Sequence, residues 1–160
     1  MTKNNDPENN RSLIMSEIMT PEMANFHGNV HGGHILKLLD RVAYACASRY
    51  SGKYIVTLSV DQVIFKEPIH VGELVTFYAY VNYVGKTSLE VGIRVVAENL
   101  ITQKQRHTNT CYFTMVALDA KGKPTLVKPL THHTETEKRR HQEALLRKEA
   151  RLKIKPNKKV

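Results

Sequence analysis

The residues best suited to chemistry are concentrated in positions 27–40, which read HGNVHGGHILKLLD. Three histidines, three glycines, an asparagine and an aspartate lie there, at the entrance to an apolar segment with helical spacing. The first amides of a helix have no partner within the helix and carry partial positive charge, and glycine allows a ligand to approach them. The stretch therefore predicts either a functional site or an ordinary turn with a helix cap.

Two parts of this stretch could act on a carbonyl group. Gly32 and Gly33 could donate their amides to a developing oxyanion, and each such donor typically contributes roughly a hundred- to a thousandfold in rate. Asp40 lies two turns further on at the edge of the apolar face, where a partly desolvated carboxylate suits a general base or nucleophile. From the residues alone, a glycine turn and a surface aspartate paired with Lys37 or Arg41 remain open alternatives.

The histidines of the same stretch raise the question of a metal site. His27, His31 and His34 have the spacing H-x3-H-x2-H. The intervening glycines make their geometry irregular, and no cysteine or carboxylate ligand follows closely, as a zinc site would require. We therefore expect no bound metal.

Composition limits the protein class. The 160 residues suit one domain, and 41% hydrophobic content can form a core. The sequence contains neither an apolar run of about eighteen residues nor the apolar region of a signal peptide, so we expect a cytoplasmic protein without a membrane span. Cys46 and Cys111 lie in apolar segments and read as reduced core residues.

The net charge of +9 is unevenly distributed. From Thr134 onward the chain contains ten lysines and arginines against four glutamates, which supplies +6 of the total. A basic surplus attracts polyanions. A tail of this kind is nevertheless more typical of a solvated, partly helical extension, and we expect it over about residues 135–152, frayed or held by an oligomer contact.

The elements that must position the site are one helix and several strands. The sequence predicts a strand over residues 12–19, a long irregular segment over 20–33, and a largely buried helix from His34 to about Tyr50. Alternating apolar residues predict four further strands, over 54–69, 73–84, 89–100 and 108–118. Because the strands follow one another with short connections, we expect an antiparallel meander that curls around the helix.

Several motifs together resemble one known family. They are GNVHGGHILKLLD at 28–40, FKEPIHVGE at 65–73, VGKTSLEV at 84–91, and AENL with TNTCYF between 97 and 113. The chain resembles the acyl-CoA thioesterases of the hotdog fold, the branch of YciA-type and cytosolic acyl-CoA hydrolases. This implies an α+β hotdog fold, in which a curved antiparallel sheet wraps one long central helix. We expect a flexible N-terminus at 1–11, the hotdog domain at 12–130 and a basic C-terminal helical tail at 131–160.

The resemblance also implies an activity and a set of roles. It implies hydrolysis of acyl-CoA thioesters to free acid and coenzyme A, with Asp40 as general base or nucleophile and the amides of Gly32 and Gly33 as the oxyanion hole. Asn29 matches the loop asparagine of the family and would orient the water or the thioester, and His31 would line the site.

Coenzyme A itself implies a second contact region. A predicted β-turn could bind its phosphates with an ammonium, hydroxyls and free amides. The residues of this turn are Gly85, Lys86, Thr87 and Ser88. Coenzyme A is part of the substrate and product, and no cofactor is required. The family further implies a homodimer with the site between subunits, and commonly a trimer of dimers.

One alternative belongs to a different functional class. A non-catalytic acyl-CoA sensor could share the fold and use the basic tail to contact nucleic acid or another partner. No helix-turn-helix precedes the domain, so nucleic acid is not an expected partner. A hydratase within the same fold is disfavoured because the D-x-N-P-x-H pattern is absent.

Overall fold

The computed structural model describes residues 9–154. In chain order the elements are β1 (Ser12–Ile18), α1 (Gly32–Ser51), β2 (Tyr54–Asp61), β3 (Leu74–Val84), β4 (Ser88–Glu98), β5 (Gln105–Leu118) and α2 (Glu135–Lys153). Short 3-10 turns occupy Asn9–Arg11 and Pro21–Met23. The predicted flexible N-terminus falls mainly outside the described residues, and its described part forms the first of these turns.

All five strands form one antiparallel sheet in the order β1-β3-β4-β5-β2. The expectation of a complete meander is wrong, because only β3, β4 and β5 follow one another in the sheet. Strand β2 ends at Asp61 instead of residue 69 and pairs with β5 at the far edge. Residues 62–73 then connect β2 to β3. Strand β3 lies between β1 and β4 and pairs with both.

The long helix α1 packs into the concave face of the sheet, as predicted. His31 caps its N-terminus, and Gly52 ends it in the left-handed conformation at φ 64°. Apolar residues at helical spacing face the sheet, and the buried ones are Ile35, Leu38, Leu39, Val42, Ala43, Cys46, Ala47 and Tyr50. Both cysteines are free and buried, which confirms the prediction of core thiols, and burial raises the pKa of each to about 12.

The basic C-terminal helix packs against the convex face of the same sheet, so the expectation of a frayed helix is wrong. Its N-terminus has a capping box, in which Thr134 and Glu137 satisfy each other's backbone amides. Its basic side chains reach inward. Arg147 pairs with Glu90 at 2.7 Å, and Arg151 pairs with Asp61 at 2.7 Å. Two of the positive charges of the tail are therefore paired with carboxylates of the sheet.

Candidate active site

The start of α1 is shaped by its own capping residue. The Gly33 amide donates to His31 Nδ1 at 2.9 Å. The structure therefore gives His31 a capping role, and of the two amides predicted to form an oxyanion hole, that of Gly33 already has a partner. The Gly32 amide has no acceptor among residues 9–154, and the ring of Phe65 lies beside this glycine.

The loop before α1 holds two asparagines in well-defined positions. Asn25 Oδ1 accepts hydrogen bonds from the amides of His27 at 2.9 Å and Asn29 at 3.2 Å. Asn29 Oδ1 lies 2.9 Å from His70 Nδ1. Within the described part of the chain, the side-chain amide nitrogens of both asparagines lack a protein partner and can donate to a ligand.

The position of Asn29 depends on a buried ion pair. The His70 amide donates to Glu73 Oε2 at 2.8 Å, and Arg106 binds both oxygens of Glu73 at 2.6 and 2.8 Å. Glu73 is buried. Burial alone would raise the pKa of Glu73, but the hydrogen bonds from Arg106 and His70 outweigh it and lower that pKa. The ionised carboxylate of Glu73 therefore fixes the position of His70, which contacts Asn29 in the loop before α1.

Asp40 lines an open cleft of about 590 Å³ between α1 and β2. Its Oδ1 accepts a hydrogen bond from Thr57 Oγ1 at 2.6 Å. Neither Lys37 nor Arg41 forms an ion pair with Asp40 in the region 9–154, so the surface-pair alternative is not observed. The side chain of Asp40 is exposed in the single protomer, and the expected partial desolvation is not provided by this chain alone.

The two halves of the predicted site are separated within one protomer. Asp40 follows Gly32 by eight helical residues, which corresponds to about 12 Å along the axis at roughly 1.5 Å per residue. The oxyanion donors must lie within roughly 3 Å of the carbonyl oxygen, and a base that acts through one water must lie within hydrogen-bond reach of that water. One protomer therefore does not bring Gly32 and Asp40 to the same carbonyl.

The turn between β3 and β4 contains the residues predicted to bind coenzyme A. Its Gly85 amide donates to the Ser88 carbonyl at 2.7 Å. The carbonyls of Lys86 and Thr87 accept from Val127 and Ala117 at 2.9 Å each. Among residues 9–154, the amides of Lys86 and Thr87 have no acceptor, and the Lys86 side chain is exposed.

The turn and the Asp40 cleft lie at the same end of the sheet. Thr57 pairs with Met115, which pairs with Leu89 directly after the turn. Because neighbouring strands are about 4.8 Å apart, Thr57 and Leu89 are separated by about 10 Å. Sequence reasoning did not single out Thr57. The sequence feature that could have indicated Thr57 is a polar residue two positions after buried Ile55, on the face of β2 that is directed toward α1.

The described residues contain no arrangement suited to a resident metal ion. No group of three or more histidine, cysteine or acidic side chains within 9–154 could hold one. The three histidines of the motif are divided by the start of α1, and His31 is used as a cap. Over the same range, neither helix is long and apolar enough to cross a bilayer.

The fold and motifs define a class of enzyme. The family model of the thioesterase superfamily matches residues 27–102. The chain belongs to this superfamily, and within it to the acyl-CoA thioester hydrolases of the hotdog fold, as the motifs predicted.

Three relatives illustrate the relationship in sequence. Protein VdlD of Helicobacter pylori is 53% identical over 146 residues, covering 91% of this chain and 83% of the relative. The acyl-CoA thioester hydrolase YkhA of Bacillus subtilis is 35% identical over 135 residues, covering 84% and 78%. Cytosolic acyl coenzyme A thioester hydrolase of rat is 36% identical over 134 residues, covering 82% of this chain but 35% of that protein.

Solved structures confirm the fold. An apo-hexameric acyl-CoA thioesterase superposes with a TM-score of 0.85 at 36% identity, covering 89% of this chain and 91% of that one. The acyl-CoA hydrolase of Staphylococcus aureus, in complex with butyryl coenzyme A and coenzyme A, superposes with a TM-score of 0.81 at 30% identity, covering 88% and 85%.

Three variants of the Staphylococcus aureus enzyme have also been solved. Each replaces one residue with alanine: an asparagine, an aspartate or a threonine. In that enzyme the aspartate follows the asparagine by fifteen residues, and the threonine follows the aspartate by seventeen.

Proposed function

We propose that this protein hydrolyses acyl-CoA thioesters to a carboxylic acid and coenzyme A, with Asp40 as general base or nucleophile. The observation that carries the proposal is the Asp40–Thr57 hydrogen bond of 2.6 Å inside an open cleft. The bond holds one carboxylate oxygen in a fixed direction and leaves the other available. A fixed, available carboxylate is what proton removal from water or attack on a thioester requires.

The proposed chemistry begins at the thioester carbonyl. With Asp40 as base, a water loses a proton to the carboxylate and attacks the carbonyl carbon, forming a tetrahedral oxyanion. The Gly32 amide is available to stabilise that charge, and the Gly33 amide becomes available when His31 Nδ1 releases it. The carbon–sulfur bond then breaks, and the proton held by Asp40 passes to the thiolate of coenzyme A, which restores the carboxylate.

The asparagine that assists the reaction has two candidates. The sequence motif predicts Asn29, whose Oδ1 contacts His70. The residue spacing of the three Staphylococcus aureus variants favours Asn25, because Asn25, Asp40 and Thr57 are separated by the same fifteen and seventeen residues. We assign the catalytic amide to Asn25, and we propose that Asn29 holds the loop, because its backbone N–H donates a hydrogen bond to Asn25 Oδ1.

A homodimer would bring the separated halves together. Supporting this, edge strand β2 exposes Tyr54 to 62% and Leu58 to 66%, an apolar edge that a second copy could cover. We infer that the loop and helix start of one subunit meet Asp40 of the other, and that dimers assemble in threes. The hexameric relatives support this assembly.

The remaining assignments concern binding and location. The turn residues Gly85, Lys86, Thr87 and Ser88 would bind the phosphates of coenzyme A with the unpartnered amides of Lys86 and Thr87. His31 would contact substrate only when it leaves its capping position. We infer that no further cofactor takes part, since water and a carboxylate suffice. We also infer that the enzyme acts in the cytoplasm, like its named cytosolic relatives.

The direct test is thiol release from acyl-CoAs of graded chain length. We expect turnover with at least one chain length, and the preferred length reports how long an acyl chain the site accommodates. Tight acyl-CoA binding without release of thiol at any length would overturn the proposal in favour of the non-catalytic sensor.

A further inference from the structure

The hydroxyl of Tyr83 connects the β3–β4 turn to the C-terminal helix. Tyr83 Oη accepts a hydrogen bond from Lys148 Nζ at 2.8 Å. The same hydroxyl lies 3.2 Å from the position that a Cβ on Gly85 would occupy, and Ser88 Oγ lies 3.3 Å from it. Lys148 therefore reaches, through one tyrosine, the turn that we assign to coenzyme A.

A β-bulge directs Tyr83 toward α2. The register between β3 and β4 shifts between Val81 and Tyr83, so that Tyr83 is opposite Glu90. The shift turns both Asn82 and Tyr83 to the convex face, as bulges do. Asn82 Nδ2 then lies 2.4 Å from where a Cβ on Gly92 would be, a space that only glycine leaves open.

A second contact fixes α2 beside this bulge. Arg147 donates to both oxygens of Glu90, at 3.1 and 2.7 Å, and its guanidinium stacks 3.5 Å above the centre of the Tyr112 ring. Asn82 donates to the same carboxylate at 3.2 Å. Glu90 is 2% exposed, so the helix cannot leave without uncovering a buried ion pair. Lys148, the next residue, is held in place by this pairing.

We propose that α2 is a positioning element for substrate binding, in which Lys148 and Tyr83 hold the Gly85–Ser88 turn in the shape that binds the phosphates of coenzyme A. The inference rests on the proposed function. The carbonyls of Lys86 and Thr87 fix one side of the turn through Val127 and Ala117. Tyr83 supports the other side, beside Gly85 and Ser88. The ammonium of Lys148 also adds positive charge close to the turn.

The test separates positioning from simple stabilisation. The variants are Tyr83→Phe, which removes only the hydroxyl, Lys148→Met, which removes the charge and the hydrogen-bond donor to Tyr83, and Lys148→Arg, which restores both. Lys138→Met is the matched control, because Lys138 pairs with exposed Glu135 at the far end of α2. Each is assayed for KM and kcat with acyl-CoA and with acyl-pantetheine, which lacks the nucleotide phosphates. The Kd of coenzyme A is measured by calorimetry, and thermal unfolding is recorded.

We expect Tyr83→Phe and Lys148→Met to raise KM for acyl-CoA and Kd for coenzyme A by roughly three- to tenfold. Their kcat and their KM for acyl-pantetheine should match wild type, Lys148→Arg should recover most of the loss, and Lys138→Met should behave as wild type. KM and Kd values equal to those of wild type in all variants would overturn the inference. It would also be overturned if KM rose equally for acyl-CoA and acyl-pantetheine while the unfolding temperature fell, since that result indicates simple destabilisation. Failure of the proposed function is distinct, because wild type would then bind coenzyme A without turnover.

Discussion

Thr57 Oγ1 donates a hydrogen bond of 2.6 Å to Asp40 Oδ1, joining the edge strand β2 to the middle of α1. The two residues are seventeen positions apart, and the tight connection at Gly52 brings them opposite each other. The bond selects one orientation of the carboxylate in a cleft that is otherwise open to solvent. It thereby links the position of the sheet edge to the position of the proposed base.

The first prediction concerns the threonine. Thr57→Val keeps the shape of the side chain and removes its donor, so the carboxylate of Asp40 loses its fixed direction. We expect kcat/KM to fall by roughly ten- to a hundredfold. Thr57→Ser retains the hydroxyl and should stay within a few fold of wild type. Steady-state thiol release measures both variants, and equal rates for valine and serine would refute a role for the hydrogen bond.

The two asparagines give a second prediction. Asn25→Ala removes both the proposed catalytic amide and an acceptor for two loop amides, whereas Asn25→Asp keeps the acceptor, loses the NH2 donor and adds a negative charge, as Asn29→Asp also does. We expect both variants to lose at least tenfold in kcat. Asn29→Asp should retain most of kcat, because its contact with His70 needs only an oxygen. A larger fall in kcat for Asn29→Asp than for Asn25→Asp would show that Asn29 supplies the catalytic amide.

A third prediction addresses assembly of the site between subunits. Asp40→Asn and Asn25→Asp subunits should each form nearly inactive homodimers. When the two are co-expressed in equal amounts, each mixed dimer contains one intact site, so about one quarter of all sites regain activity. Thiol release by the purified mixture, with composition checked by mass spectrometry, provides the measurement. Activity no greater than that of either parent would exclude sites shared between subunits.

The fourth prediction concerns pH and the attachment of α2. His132 lies 4.3 Å from His141 between ring centres. Burial and this neighbouring histidine lower the pKa of His132, with Arg11 and His133 acting in the same direction and Glu137 opposing them. A histidine whose pKa is lowered on folding binds a proton more readily when unfolded, so the stability that it contributes is present above about pH 6.5 and is lost as the pH falls below it.

We therefore expect the free energy of unfolding to decrease between pH 7 and pH 5 in wild type, by about 1.4 kcal/mol per unit of difference between the folded and unfolded pKa of His132. His132→Gln should have a shallower pH dependence over that range. Urea unfolding monitored by circular dichroism at several pH values measures both proteins. A variant with the same slope as wild type would show that other groups cause the dependence.

Much of this fold could be predicted because its signals are local. The apolar spacing after Gly33 predicts α1, and alternation of apolar residues predicts β3, β4 and β5 within a few positions. The place of β2 could not be predicted in this way, since its partner β5 lies more than fifty residues further along the chain. Alternation defines the faces of a strand but carries no information about its neighbours.

The packing of α2 was missed for a different physical reason. Its contact with the sheet is mainly ionic and cation–π, through Arg140, Arg147 and Arg151, and such residues read as a solvated face in a sequence. For the proposed site, residue types and family motifs singled out the loop, the helix start and Asp40. Thr57 and Asn25 were not singled out. Thr57 acts through a hydrogen bond between two elements, and the Asn25 side chain accepts hydrogen bonds from its own loop. Neither kind of contact produces a recognisable sequence pattern.

The most direct test of this account is the steady-state rate of thiol release by Asp40→Asn, compared with wild type and with Glu135→Gln, the same chemical change on the exposed first turn of α2. We predict that Asp40→Asn loses roughly a hundred- to ten-thousandfold in kcat. Its oligomeric state and unfolding temperature should remain those of wild type, and Glu135→Gln should retain full activity. Wild-type turnover by Asp40→Asn would contradict the proposed mechanism.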